Sequence, residues 1–399
     1  MDARAGILLC CLLAGAVRAD DFAACLEGLG RRAREAGVDA ELVAAVLPQL
    51  RHQPRVVELD RSQPEFVQTF AAYLERRLTP QRVRRGRDLY ARYRGFLDGL
   101  THRYGVPGQY LIALWGLETH FGGYLGSMPT LDALATLACD GRRGEYFAGE
   151  FVTALELLAR QGLSPERLRG SWAGALGHTQ FMPSTYLRYA VDGDGDGRID
   201  LLGSERDALA SGARFLAALG WRAGLRWGRE VRLPEGFDYR LADGQWRGLE
   251  EWAARGVRAA DGSALPRLAV AARLLVPAGH RGPAFLVYHN FEVILGWNRS
   301  EFYALAVGLL ADRIAGGEGL HRPPPPAPPL PRSAVLELQR GLAALGYPVG
   351  EADGVIGPAT RRALAAFQAD RGLVADGHPD AAAVEKVREA LSAAQAPGR

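Results

Sequence analysis

Tyr110-Leu-Ile-Ala-Leu-Trp-Gly-Leu-Glu118-Thr-His-Phe-Gly-Gly123 reads as a short helix. Leu111, Leu114 and Trp115 recur at i, i+3 and i+4, one apolar stripe, and Glu118 falls at i+7 on that stripe. A carboxylate on a buried face is costly unless it has a partner or a task. Gly122-Gly123 is expected to end the helix, which puts Glu118 in the last turn, at the negative end of the helix dipole. Desolvation and the dipole both disfavour the anion and raise its pKa. A carboxylic acid kept protonated near neutrality is what a general acid needs. A structural Glu paired with an Arg fits the same pattern.

The second informative stretch is Ser171-Trp-Ala-Gly-Ala-Leu-Gly-His-Thr-Gln180-Phe-Met-Pro-Ser-Thr-Tyr186. Ala173, Gly174, Ala175 and Gly177 allow close backbone approach, and Ser171, Gln180 and Tyr186 can hydrogen-bond sugar hydroxyls and amides. By itself this is a polar cleft wall or a glycine-rich packing loop. The third is Asp192-Gly-Asp194-Gly-Asp196-Gly197-Arg198-Ile-Asp200. Carboxylates at positions 1, 3 and 5 with glycine at 6 match an EF-hand Ca²⁺ loop. Position 12 is Gly203, which offers no carboxylate, so an ion-free Asp-Gly turn stays open.

Trp115-Gly-Leu-Glu118-Thr-His-Phe-Gly122, the Ser171–Tyr186 stretch and Trp297-Asn298-Arg-Ser-Glu-Phe-Tyr303-Ala-Leu-Ala-Val together closely resemble the lytic murein transglycosylases of the B type, over most of residues 22–316. The resemblance implies a mainly α (α+β) lysozyme-like domain with extra subdomains around a saccharide groove. It implies Glu118 as the single catalytic acid and base. Ser171, Gln180, Asn298 and Tyr303 match groove-lining polar positions, and Tyr73 matches an aromatic groove position. The reaction implied is cleavage of the bond between N-acetylmuramic acid and N-acetylglucosamine in peptidoglycan glycan strands. The muramic N-acetyl group assists, and the C6 hydroxyl of the same sugar closes a 1,6-anhydro end. Asp132 and Asp140 are near in sequence, but no spacing fixes either as a second catalytic carboxylate. The family carries a longer variant of the aspartate loop. It implies a structural Ca²⁺ held by Asp192, Asp194, Asp196, Arg198 and Asp207, with Glu205 as the alternative last ligand, and no cofactor for catalysis.

The remaining chain frames these stretches. Residues 1–19 read as a cleaved signal peptide: an apolar core too short to span a bilayer, then Val17-Arg18-Ala19 at the cleavage site. Leu8-Leu9-Cys10 lacks the small residues expected before a lipidated cysteine at Cys10 or Cys11. An exported, periplasmic protein is expected, and in that oxidising compartment Cys25 and Cys139 are a disulfide candidate against two buried thiols. The lysozyme-like domain is expected over 20–321, with helices at 20–46, 63–93, 101–123, 132–162, 207–219 and 302–314 and an irregular strand-containing insert at 225–283. Arg82, Arg84, Arg85 and Arg87 read as a solvated helix face. Arg322-Pro-Pro-Pro-Pro-Ala-Pro-Pro-Leu-Pro-Arg332 is a semi-rigid polyproline spacer. Residues 333–392, with Leu338-Gln339, Asp353-Gly354 and Phe367-Gln368, resemble the small three-helix peptidoglycan-binding module of wall enzymes. No long internal repeat is expected.

Lys and Arg number 48 against 45 Asp and Glu, a net +3, too weak a charge to argue for nucleic acid. The histidines lack His-Glu-x-x-His spacing, which sets a zinc amidase or peptidase aside. A muramidase that hydrolyses the same bond, and a non-catalytic wall-binding scaffold, are the rival readings. Other cell-wall enzymes are possible partners.

Overall fold

The computed structural model describes residues 19–62 and 68–395. Residues 1–18 of the expected 1–19 signal peptide, with Cys10 and Cys11, and residues 63–67 at the start of the helix expected over 63–93 therefore lie outside the described residues. No helix among the described residues is long and apolar enough to cross a membrane. The architecture is mainly α, with small sheets. It divides into two compact units, 19–62 with 125–188 and 68–124 with 189–395. Residues on both sides of the 322–332 linker belong to the second unit.

In the first unit the helices Thr130–Cys139 and Gly144–Gln161 pack together, with Leu134, Phe151, Leu155 and Leu157 fully buried. The helix Ala19–Glu35 lies against both. Cys25 on that helix and Cys139 are bonded through sulfur, with Cα atoms 6.0 Å apart. Asp60, buried, accepts from Arg142 Nε at 2.8 Å and from Arg143, and Arg61 pairs with Asp140 at 2.8 Å. A buried carboxylate held by two guanidiniums is compensated for its lost hydration. Strands β1 (Met128–Pro129) and β2 (Arg169–Gly170) pair antiparallel beside this layer.

The second unit is built around the helix Gly108–Thr119, packed by Pro80–Arg92, Arg94–Tyr104, Glu205–Ala218 and Glu301–Ile314. Helices approach closely where a side chain is missing: a Cβ on Gly86 would lie 2.7 Å from Ile314, and one on Gly308 2.3 Å from Trp227. The insert forms an antiparallel five-stranded sheet of β3 (Gly228–Arg232), β4 (Arg247–Gly248), β5 (Arg258–Ala259), β6 (Ala271–Leu275) and β7 (Ala284–Val287), in the order β4-β6-β7-β3-β5. Register follows Gly228↔Val287 and Leu275↔Phe285. All of β7 is buried, because its alternate residues serve two cores. Phe285 and Val287 join the helical core, while Ala284 and Leu286 join Val231, Trp252 and Tyr288 of the insert.

Beyond the linker, Arg332–Ala344, Pro358–Asp370 and Ala381–Gln395 enclose Leu338, Leu342, Leu364, Phe367 and Val387. One turn-holding device occurs twice. Gln339 accepts from Gly354 N and donates to Asp353 Oδ1, and Gln368 accepts from Gly377 N and donates to Asp376 Oδ1. The spacer is held at one residue and the module at two. Thr69 Oγ1 donates to Ala327 O, Asp376 accepts from His280 N at 2.8 Å and from its ring at 2.7 Å, and Arg281 pairs with Asp380 at 2.6 Å. Asp376 can be buried there because these donors replace its water.

The Cys25–Cys139 bond closes a separation of 114 residues. Cys139→Ser is expected to lower stability by about 2–5 kcal/mol, read as a lower melting temperature. Peptide mapping without reductant should recover the linked pair, whereas two alkylated thiols in exported protein would contradict it.

Candidate active site

The helix Gly108–Thr119 is buried from Tyr110 to Leu117 on every side, so the apolar stripe is part of a wholly enclosed helix. Glu118 is the first side chain in that run to keep some exposure. The helix ends at Thr119, earlier than the glycine pair suggests. His120 and Phe121 turn left-handed, with φ of 52° and 60°, before Gly122. Each such residue costs of order 1–3 kcal/mol and persists only where neighbours impose it. Here the His120 and Phe121 N–H groups both donate to Trp115 O, and Gly122 N donates to Thr119 Oγ1. The Phe121 ring fills the space beside Gly116, where a Cβ would lie 2.6 Å away.

Arg82 corrects the reading of its arginine run as a solvated face. It is buried, donates to the carbonyls of Arg76 and Arg77, and meets His120 Nδ1. Its guanidinium thus caps the end of the helix Phe70–Arg77 and grips the turn after Glu118. Burial, then Arg82 and Arg77, hold the His120 pKa below the usual histidine range, so a neutral ring accepts from Arg82. Arg84, Arg85 and Arg87 are exposed.

Two donors reach the Glu118 carboxyl, both at Oε1: Trp297 Nε1 at 3.0 Å and the Tyr303 hydroxyl. No described residue donates to Oε2. Desolvation raises the Glu118 pKa, opposed by the hydrogen bonds from Tyr303 and Trp297 and by the charge of Arg77. The Tyr303 pKa is pushed well above its ordinary value, first by burial and then by Glu118, so the phenol keeps its proton and donates. Tyr303 is placed by its helix, whose N-cap Ser300 accepts from Tyr303 N. Trp297 is the last residue of the helix His289–Trp297. Trp297 lies within a quoted motif but has no role legible in the sequence, since an indole before Asn298 carries no signal of what its N–H faces.

The other expected groove residues divide. Asn298 is exposed, with Oδ1 accepting from Ser300 N. Tyr73 is only 5% exposed and packs in the core, its ring 5.8 Å from Phe302 with the Arg77 guanidinium 5.4 Å above it. In the first unit, Ser171 Oγ accepts from Ala175 N, and Gln180 donates to Leu125 O and Gly177 O. Gln180 is left-handed, φ 50°, so the three non-glycine residues with positive φ among the described residues all fall in the two motif stretches. Asp132 accepts from Arg51 N and Gln53 Nε2, and Asp140 pairs with Arg61, so each already holds structure.

The aspartate loop brings together Asp192, Asp194 and Asp196, whose carboxylate oxygens lie within 4.8 Å of one another. The Asp192 pKa is held low by the backbone N–H groups of Gly197 and Gly195. Asp207 stands outside that group of three. It is buried, and its oxygens accept from Gly193 N at 2.8 Å and Asp200 N at 2.7 Å, binding the two ends of the loop. Glu205 accepts from the Tyr93 hydroxyl. Three converging carboxylates with a fixed backbone fit a hard, oxygen-seeking cation.

Comparison with known proteins follows the same outline. The Transglycosylase SLT domain family matches residues 21–312, and the peptidoglycan binding domain family matches residues 331–387. The membrane-bound lytic murein transglycosylase B of Escherichia coli (strain K12) is 35% identical over 249 residues, 61% of this chain and 66% of that protein. SltB3 of Pseudomonas aeruginosa, solved with NAG-anhNAM-pentapeptide, superposes with TM-score 0.87 at 45% identity, over 92% of this chain and 99% of that one. The Escherichia coli lytic transglycosylase Slt35, solved with calcium, gives TM-score 0.63 at 31% identity, over 73% and 92%. The match spans both the enclosed helix with its carboxyl group and the phenol and indole that hold it, and the chain belongs to the Transglycosylase SLT domain family.

Proposed function

We propose that the protein is a peptidoglycan lytic transglycosylase with Glu118 as its one acid and base. The observation that carries this reading is the placing of both donors on Oε1. In the neutral acid, the oxygen facing the N–H and O–H donors is the carbonyl oxygen, so the proton resides on Oε2, which accepts from no described residue. Oε2–H protonates the glycosidic oxygen as the bond from C1 of N-acetylmuramic acid breaks. The acetamido oxygen of that sugar takes the vacated position at C1. The Glu118 anion, held by Tyr303 and Trp297, then removes the proton from the C6 hydroxyl, and O6 displaces the acetamido oxygen. The 1,6-anhydro end forms, the N-acetyl group is restored and Glu118 is again protonated. An internal nucleophile has high effective molarity, so one carboxylate suffices. Among the described residues, the charged group acting on Glu118 is Arg77, not a second acid. This favours the lytic reaction over hydrolysis by a muramidase.

Ser171, Gln180, Asn298 and Tyr303 are proposed to contact the glycan, with Tyr73 acting from beneath through the core. A structural Ca²⁺ is proposed on Asp192, Asp194, Asp196 and the Arg198 carbonyl, with Asp207 tying the loop that holds it. The bonded cysteines support an oxidising compartment such as the periplasm, and peptidoglycan glycan strands are the proposed partner.

Glu118→Gln is expected to keep the fold and reduce turnover by at least about 100-fold. Retention of more than about a tenth of the wild-type rate on purified sacculi would remove the assignment. Calcium at about 100 times its dissociation constant should add about 2.7 kcal/mol of stability. Calorimetry with and without chelator reads this, and Asp194→Ala should abolish the difference; an unchanged melting temperature on stripping metal-loaded protein would count against the site. Deleting residues 333–399 should leave turnover of short soluble fragments intact and weaken action on insoluble wall, where anchoring raises local concentration. Equal loss on both substrates would mean that the Asp376 and Asp380 contacts support the catalytic fold instead.

A further inference from the structure

Trp297 ends its helix, and Asn298 after it is already extended, with φ −143° and ψ 120°. The indole is therefore held from the side. The Phe215 ring lies 5.4 Å from it at 51°, and the Tyr189 ring lies 4.8 Å from Phe215 at 42°. All three side chains are half-buried.

Tyr189 and Phe215 come from segments that cannot shift independently. Val191 N donates to Ser211 Oγ at 2.9 Å, Gly193 N to Asp207 at 2.8 Å, and Arg214 to Ala190 O at 3.3 Å. The helix carrying Phe215 is thereby joined to the stretch between Tyr189 and the aspartate loop. A ring pair in tilted contact contributes directional packing beyond its buried area.

We propose that Phe215 is a positioning residue for the reaction: the column Tyr189–Phe215–Trp297 sets the direction of the indole N–H toward Glu118 Oε1. This rests on the reading of Glu118 as the acid. A hydrogen bond weakens steeply as its angle closes, so a small swing of the indole costs the Glu118 anion part of its support. The other charged or titratable groups acting on Glu118 are Tyr303, from Glu301–Ile314, and Arg77, from Phe70–Arg77. The Trp297 bond favours the anion and lowers the Glu118 pKa. Loosening it raises that pKa. A general acid is lost as pH climbs through its pKa, so the alkaline limb of kcat/KM moves to higher pH.

The test is the pH profile of kcat/KM on soluble glycan fragments for wild type, Phe215→Leu, Phe215→Tyr, Trp297→Phe and Glu118→Gln. Trp297→Phe should move the alkaline limb up by about one unit, the tenfold expected for one hydrogen bond to a charged group. Phe215→Leu should move it part of the way and lower kcat more than it raises KM, and Phe215→Tyr should restore the wild-type limb. Where Phe215→Leu fails to fold, Tyr189→Leu loosens the column from its far end and should shift the limb in the same direction. A limb that stays in place while KM rises would make Phe215 a sugar platform and overturn the proposal. A limb moved by Trp297→Phe but by neither column variant would also overturn it, with the acid still in place. Turnover retained by Glu118→Gln would instead bring down the acid assignment itself.

Discussion

Everything in the catalytic unit depends on one carboxyl oxygen that accepts from a phenol and an indole at once. Removing Glu118 from water favours its neutral form, and the two donors favour its anion. The balance gives a group that can hold a proton and then carry the charge left when the proton departs, as a single acid and base requires. Each side of this balance has its own structural source. Desolvation comes from a helix buried all round. The donors come from the end of one helix and the start of another, Trp297 and Tyr303, on either side of a short turn capped by Ser300.

Glu118 itself was legible in the sequence, because a carboxylate in register with Leu111, Leu114 and Trp115 breaks the apolar pattern. The exact enclosure was not. Periodicity reports one apolar face, while Gly108–Thr119 is packed by helices both adjacent and distant in the chain. The helix end was displaced for a similar reason: glycine is the usual left-handed residue, but here Arg82 and the packing of Phe121 against Gly116 impose that conformation on His120 and Phe121. Arg82 read as solvated because its neighbours Arg84 and Arg85 are. Only the fold reveals that its guanidinium closes two helix ends. The aspartates of the loop were legible from spacing alone, whereas the way Asp207 ties the loop backbone depends on where the following helix begins.

The C-terminal module illustrates a third kind of limit. Its Asp353-Gly354 turn was visible, but the equivalent Asp376-Gly377 turn was not, since the segments between Gln339 and Gly354 and between Gln368 and Gly377 differ in length. The second turn also serves the interface, where Asp376 receives His280. A proline-rich segment reads as a semi-rigid spacer, and the Thr69 contact at Ala327 is not in that signal because composition reports stiffness and not attachment.

The central claim is that Glu118 moves a proton out and back while no water enters the bond. Digestion of purified sacculi in oxygen-18 water, followed by mass spectrometry of the products, tests this directly. The account predicts 1,6-anhydromuramyl ends without the heavy label. Reducing muramyl ends that carry oxygen-18 would contradict it and make the enzyme a hydrolase.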